Sequence, residues 1–372
     1  MNILKNTEKR FVLIFTGTLL LGLASVALLN IYINPWQNYG RKGSISLYNA
    51  RLAKTEYLKT LPRDSLPQVV FLGSSNVMRY KPSTIEKLIG KKAFNFGVYW
   101  GRMDDFLCIA SFLVNDLQLK PELLIIGLDT WALKEGESDH PVFPGVRRRL
   151  LNAPDLVKYD PDISPIPLFW SKIIDLFSFQ QTSISLNKFL HGAKRVPIRA
   201  LTDNSPFNPD GTRESYGDPF GKLPNIREAV DEGDYDIEPY LEKIYNTGVV
   251  ERFPTFANYA FDSFWDRRIK YLHQLVELCQ RKNIKIIFVL DPVHPIFWKV
   301  ITENTPHLRH LQNLLNMLAD LKREYPVILG TVNASRIQYF GGTRQGFYDE
   351  IHPSTVNCDL ILHKVAEVYR NN

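Results

Sequence analysis

Gln68-Val69-Val70-Phe71-Leu72-Gly73-Ser74-Ser75-Asn76 is an apolar run, rich in β-branched residues, that stops at a glycine and delivers two serines. A short run bounded in this way reads as a strand buried on both faces, the kind that belongs to a parallel sheet. The carboxyl ends of such strands are where α/β sheets hold their sites. Gly-Ser-Ser after a strand is usually only a turn. Ser75 becomes a candidate nucleophile if the rest of the chain supplies what activates it.

Working outward, Ser44 to Leu61 reads as an exposed helix leading into the domain, with Leu47, Leu52, Tyr57 and Leu58 as its apolar stripe. Ser83-Thr84-Ile85-Glu86 has the pattern of a capping box opening a helix that Gly90 closes. Lys92 to Phe96 is a second strand, followed by the glycine-punctuated loop Asn95 to Gly101, a helix over Met103 to Leu117 and a third strand, Leu123 to Gly127. Regular structure resumes with a helix over Asp262 to Arg281, a fourth strand at Ile284 to Leu290, an amphipathic helix from His307 to Tyr325 and a short fifth strand, Val327 to Leu329. Ser354 caps a final helix running to Tyr369. Strands alternating with helices predict an α/β fold around a central, mostly parallel sheet of about five strands. Between the third and fourth strands, about 134–260 reads as a large loop and helix insertion. It holds a helical stretch, Ile166 to Phe189, the turn Asn208-Pro209-Asp210-Gly211 and an acidic run from Asp231 to Asp236 that lacks calcium-loop spacing.

Composition is that of an ordinary globular protein with a mild net charge of +6. The basic residues are scattered apart from Arg147-Arg148-Arg149, which gives a nucleic-acid reading little support. Cys108, Cys279 and Cys358 show no metal spacing and read as buried free thiols. Phe11 to Ile33 carries no charged residue, and at about 1.5 Å per residue it spans the hydrocarbon core of a bilayer. Lys5, Lys9 and Arg10 precede it, and Tyr32, Trp36 and Tyr39 follow, an arrangement that puts residues 1–10 in the cytoplasm and the remainder outside. A cleaved signal peptide ending near Ala24-Ser25-Val26-Ala27 is the competing reading, against which the length of the apolar core argues. The expected organisation is a tail at 1–10, a single-pass anchor at 11–33, a linker and leading helix at 34–65, and one extracytoplasmic domain at 66–372.

A serine nucleophile needs an imidazole to take its proton and a carboxylate to orient that imidazole. Asp349-Glu350-Ile351-His352-Pro353, between the glycine-rich loop of Gly341, Gly342 and Gly346 and the final helix, supplies both. The order Ser, Asp, His matches α/β-hydrolases, but Val77 stands where their elbow needs a glycine. A second pair, Asp291-Pro292-Val293-His294, follows the fourth strand. It offers an alternative triad, or, with Asp349 and His352, the ligands of a metal-dependent hydrolase. Loop structure is its plainer role.

Taken together these blocks resemble the SGNH (GDSL-type) hydrolase superfamily. Gly73-Ser74-Ser75-Asn76 stands at its Gly-Asp-Ser-Leu block, Asn95 to Gly101 at its glycine block, Gly127-Leu128-Asp129 at its Gly-x-Asn block, and Asp349 to His352 at its terminal Asp-x-x-His block. The resemblance covers about residues 66–133 and 260–370 and implies a three-layer sandwich. Carried over by position, it implies Ser75 as nucleophile, His352 as base and Asp349 as orienting carboxylate, with no cofactor and no metal. The implied oxyanion donors are the Ser75 N–H, the Gly101 N–H with Gly97 as fallback, and the residue at 129. That residue is an aspartate here, and an ionised carboxylate cannot donate.

Gly-Ser-Ser in place of Gly-Asp-Ser is similar to membrane-anchored members that modify cell-envelope polymers. That likeness implies an esterase or O-acyltransferase acting on acyl, chiefly acetyl, esters of a surface or exported polysaccharide at a bacterial cytoplasmic (inner) membrane, beside a multi-pass membrane acyltransferase. The alternative is a catalytically weak accessory protein that binds glycan or such a partner. Trp100 and Trp131, next to two of the blocks, are candidates for stacking on sugar, with core packing as the competing role.

Overall fold

The computed structural model describes residues 2–34, 50–135, 150, 153–161, 169–170, 173–174, 176–191, 208–212, 236–253 and 255–372. The Arg147 to Arg149 run and residues 231–235 of the acidic run lie outside them. Five parallel strands, β1 (Val69–Leu72), β2 (Ala93–Asn95), β3 (Leu123–Gly127), β4 (Lys285–Leu290) and β5 (Ile328–Asn333), form one sheet in the order β2-β1-β3-β4-β5. Neighbouring residues of a strand point to opposite faces, and both faces are covered. Val70, Leu72, Leu124, Ile126, Ile286 and Phe288 therefore join one core cluster, while Val69, Phe71, Leu123, Ile125, Ile287 and Val289 join the other.

The helices, in chain order, are α1 (Asn2–Ile33), α2 (Ala50–Thr60), α3 (Pro82–Ile89), α4 (Met103–Asn115), α5 (Pro154–Val157), α6 (Phe179–His191), α7 (Glu238–Tyr245), α8 (Phe256–Tyr259), α9 (Asp266–Lys282), α10 (Pro295–Asn304), α11 (His307–Glu324), α12 (Ile337–Phe340) and α13 (Thr355–Arg370). α4 and α9 pack together over the first face with α11, while α3 and α13 pack over the second. The result is a mixed α/β three-layer arrangement with helical insertions, of the generic SGNH-type topology. A third cluster, with Ile237, Leu241, Phe253, Tyr259, Phe297 and Phe347, joins the last part of the insertion to α10 and to the loop before α13. In α1, Thr7–Ile33 is long and apolar enough to cross a membrane, with a mean hydropathy of 2.4.

Local departures from the sequence reading have physical causes. No side chain caps α3. Its start is set by Pro82 in the first turn, where a missing N–H is harmless, and its end by Gly90 in the left-handed region at φ 73°. β5 runs beyond the expected Val327 to Leu329 because Gly330 and Thr331, which break its apolar run, still pair with Ile287 and Phe288 of β4. α2 is not an exposed helix: Ala50, Arg51, Ala53, Lys54, Thr55 and Leu58 are buried. The insertion also reaches the sheet, where Asp210 O accepts from Asn95 N at 2.8 Å.

Candidate active site

The chain leaves β1 for β2 on one side and later enters β3 on the other. That reversal opens a crevice at the carboxyl ends of β1 and β3. Ser75 lies three residues past β1, at the entry of a tight turn in which Val77 N–H donates to Ser74 O and Met78 N–H to Ser75 O. Val77, the residue that rules out a glycine elbow, fits a notch left by two glycines. A Cβ on Gly73 would lie 2.2 Å from its Cγ2, and one on Gly127 2.1 Å. β1, β3 and the turn carrying Ser75 are locked together at this point.

Ser75 Oγ is 2.8 Å from His352 Nε2, and His352 Nδ1 is 2.6 Å from Asp349 Oδ2. Asp349 Oδ1 accepts from the backbone N–H groups of Ile351 and His352, at 2.9 and 2.8 Å. Burial alone would raise the Asp349 pKa. The His352 charge and these hydrogen bonds outweigh it and hold the carboxyl below its ordinary value. The loop is tied at its base by Asn357, whose Nδ2 donates to Thr343 O and Gly346 O and whose Oδ1 accepts from Thr343 N–H. Ser354 N–H donates to Gly346 O, and Arg79 donates to the Tyr348 hydroxyl, bridging the loop to the turn after Ser75.

Asp129 is an acceptor on both oxygens. Ser74 Oγ–H donates to Oδ2 at 2.7 Å and Asn76 Nδ2–H to Oδ1 at 2.8 Å. Burial pushes its pKa up to about 6, against the pull of the Ser74 and Asn76 hydrogen bonds and the His352 charge. With this geometry Asp129 braces the residues on either side of Ser75 and has no proton to offer an oxyanion. The glycine-loop donors have acceptors too: Gly101 N–H donates to Val98 O at 3.0 Å and Gly97 N–H to Asn95 Oδ1 at 2.8 Å. Gly101 nevertheless sits against the turn that carries Ser75, since a Cβ there would lie 2.4 Å from Gly73 O.

Two residues that sequence reasoning missed hold this glycine loop from below. Lys54 Nζ donates to Asn95 O at 2.8 Å and to Gly97 O at 2.7 Å. Arg51 Nη2 donates to Tyr99 O at 3.1 Å, and its guanidinium pairs with both oxygens of Asp105. Burial lowers the Lys54 pKa well below its usual value, with Asp210 opposing. Burial disfavours its charged form, and the two carbonyl acceptors and the Asp210 charge offset part of that cost.

The remaining candidates separate. Trp131 is 2 % exposed within the third cluster, where a sugar has no access, and stands edge-on to Trp100 with ring centroids 5.6 Å apart. Trp100, half-buried with φ 54°, keeps some surface. Asp291 Oδ1 accepts from Tyr80 Oη at 2.6 Å, and burial together with the Asp129 charge raises its pKa well above the carboxylate range. His294 is fully buried and caps α10, with Nδ1 accepting from Ile296 N–H at 3.2 Å. Its pKa is lowered to about 4 by burial. The second Asp-x-x-His pair is thus spent on structure. Among the described residues no group of three or more His, Cys, Asp or Glu has the arrangement of a metal site. No family model matches the sequence, and no curated protein matches it.

Proposed function

We propose that the chain is a membrane-anchored serine esterase or O-acyltransferase. In this reading Ser75 is the nucleophile, His352 the general base and Asp349 the carboxylate that orients it. The observation that carries the proposal is the continuous chain from Ser75 Oγ through both ring nitrogens of His352 to Asp349, set in the crevice where parallel sheets bind ligands. Ser75 Oγ attacks the ester carbonyl carbon while His352 Nε2 takes the hydroxyl proton. The ester C–O bond then breaks, the leaving oxygen takes that proton, and an acyl-Ser75 remains. Water or a second hydroxyl gives its proton to His352 and attacks the acyl carbon. Ser75 leaves with the proton restored.

In the same reading the oxyanion is met by the Ser75 N–H and by a Gly101 N–H shared between Val98 O and the substrate. Asp129 acts indirectly, by fixing Ser74 and Asn76. The Thr7–Ile33 helix supports membrane association. With Lys9 and Arg10 before it, the 66–372 domain, its insertion at about 134–260, lies on the extracytoplasmic side, where acyl esters of a surface or exported glycan are the fitting substrates. Trp100 is the remaining candidate for contact with sugar, and a multi-pass acyltransferase is the partner such a reaction implies.

A fluorophosphonate probe tests the chemistry. The full-length protein should become labelled at Ser75, and Ser75→Ala should abolish labelling. An intact wild-type protein that never reacts would refute the triad. A second reading, a catalytically weak glycan-binding accessory, is favoured by the engaged N–H groups of Gly97 and Gly101 and by Asp129. It expects no labelling, and glycan retention unchanged in Ser75→Ala.

A further inference from the structure

Helix α6 has its polarity inside out. Gln181 and Ser185, one turn apart, are fully buried, while Phe179 is 88 % exposed and Leu186, Phe189 and Leu190 also face outward. A helix resting on a protein core in water presents the opposite pattern. Just before it, Phe169 and Trp170 are exposed as well, edge-on to each other.

The element on which α6 rests is α1. Of the apolar helix, residues 7–25 are exposed, and cover begins only at Val26. Asn30, a polar residue in the apolar helix, is fully buried there, and its Nδ2 donates to Leu176 O at 2.7 Å and to Thr182 Oγ1 at 3.0 Å. Polar side chains at such depth are used between helices because lipid offers them no partner. Counting about 30 Å of hydrocarbon from Phe11 at about 1.5 Å per residue reaches Asn30, which puts α6 at the boundary between acyl chains and headgroups.

We propose that α6 and the exposed aromatics preceding it are a second membrane contact. The helix lies in the interface of the leaflet at the carboxyl end of α1, with Phe179, Leu186, Phe189 and Leu190 among the acyl chains and its polar face on α1. Lipid is the occupant because α6 rests on α1, a helix long and apolar enough to cross a membrane whose own apolar side chains are exposed. Interfacial helices hold their apolar face at the acyl boundary in this way. The Asn30 hydrogen bonds then fix the helix to the anchor, so that the domain is held close to the bilayer by two elements. The inference is independent of the chemistry at Ser75.

The experiment uses the full chain in liposomes. All three native cysteines are buried, so an environment-sensitive fluorophore can be attached selectively at Phe179→Cys or Phe189→Cys, with Leu308→Cys, on the exposed face of α11, as the aqueous control. The expected result is blue-shifted emission at 179 and 189 that is quenched by lipids carrying nitroxides on their acyl chains and protected from aqueous iodide, with the reverse at 308. Quenching of 179 and 189 by iodide as strong as at 308 would overturn the proposal. Shielding of both from nitroxide lipids and iodide alike would overturn it too, in favour of a protein surface covering the helix.

Discussion

Asp349→Asn separates the chemistry of the site from its architecture. Oδ1 of Asp349 accepts two backbone N–H groups, from Ile351 and His352. An asparagine there must keep its carbonyl oxygen at that position, since an NH2 would face two donors. Its Nδ2 is then forced toward His352 Nδ1, where the carboxylate oxygen now stands at 2.6 Å. A donor there requires Nδ1 to accept, so the ring proton moves to Nε2 and points at Ser75 Oγ. The imidazole can no longer take the serine proton. Imposing the wrong tautomer in such a triad costs about 10⁴ in rate, or about 5 kcal/mol of transition-state stabilisation. The loop, with its backbone acceptor kept, should stay folded. Asp349→Ala does the reverse: it strips the backbone donors of their acceptor but leaves His352 free to choose its tautomer. The rate of fluorophosphonate labelling and the melting temperature, measured on both variants, should therefore cross, with Asn slower yet more stable than Ala. Asn labelled within tenfold of wild type, or rates that follow stability, would refute the orienting role of Asp349.

Glu350 is buried against the Thr255 hydroxyl, and burial, with the Asp349 charge, raises its pKa to about 7 from an ordinary 4.5. The folded state therefore holds a proton that the unfolded chain releases. The stability this supplies is full below about pH 4.5 and is lost as pH rises to about 7, a change of about 3 kcal/mol. Glu350→Gln, which stays neutral, should flatten that part of the stability profile in denaturation measurements from pH 4.5 to 7, and an unchanged slope would rule Glu350 out as its source. Lys54→Met removes both donors that hold Asn95 O and Gly97 O. Faster amide exchange at 95–101 and about a hundredfold slower labelling of Ser75 are expected, the loss typical of a displacement near 1 Å.

The strands and the residues of the Ser75–His352–Asp349 hydrogen-bonded chain were legible for one reason: each depends on a short local pattern. A strand covered on both faces leaves an uninterrupted apolar run, and the glycine that ends β1 is required by the close approach of Val77. Ser75 and His352 are far apart in sequence, but Ser75 lies just past the end of β1 and His352 just before the start of α13, and the fold brings the two together. Whatever depends on another element was not legible. α10 begins at Pro295, a residue that reads as loop until His294 is seen capping it. Arg51 and Lys54 sit one turn apart on the buried face of α2, and long cations there invert the hydropathy pattern that marks a core face. Their partners are backbone carbonyls and an aspartate of later elements, which no spacing within α2 reveals. The polarity of α6 misleads in the same way, because a polar face turned toward α1 looks from the sequence like a surface.

Serine at 74 and aspartate at 129, the two positions at which the sequence differs from the SGNH pattern it resembles, are in contact. Ser74 Oγ lies 2.7 Å from Asp129 Oδ2, so the two positions face each other across the crevice and share a single carboxylate. Two carboxylates at this separation cannot both ionise, and two neutral side chains would leave Asn76 Nδ2 without the charged acceptor that now fixes it. Ser74→Asp alone should therefore strongly destabilise the domain. Asp129→Asn alone should weaken the brace around Ser75, although it removes a group that burial pushes up to about 6. The double variant Ser74→Asp/Asp129→Asn restores one carboxylate to the pair and supplies an amide N–H at 129. It should recover about 1–3 kcal/mol relative to the sum of the single variants in denaturation measurements. If the hole lacks a donor in the wild type, the double variant should also label faster than wild type, by as much as about 10²-fold. Additive single-variant effects would show that the two positions are independent.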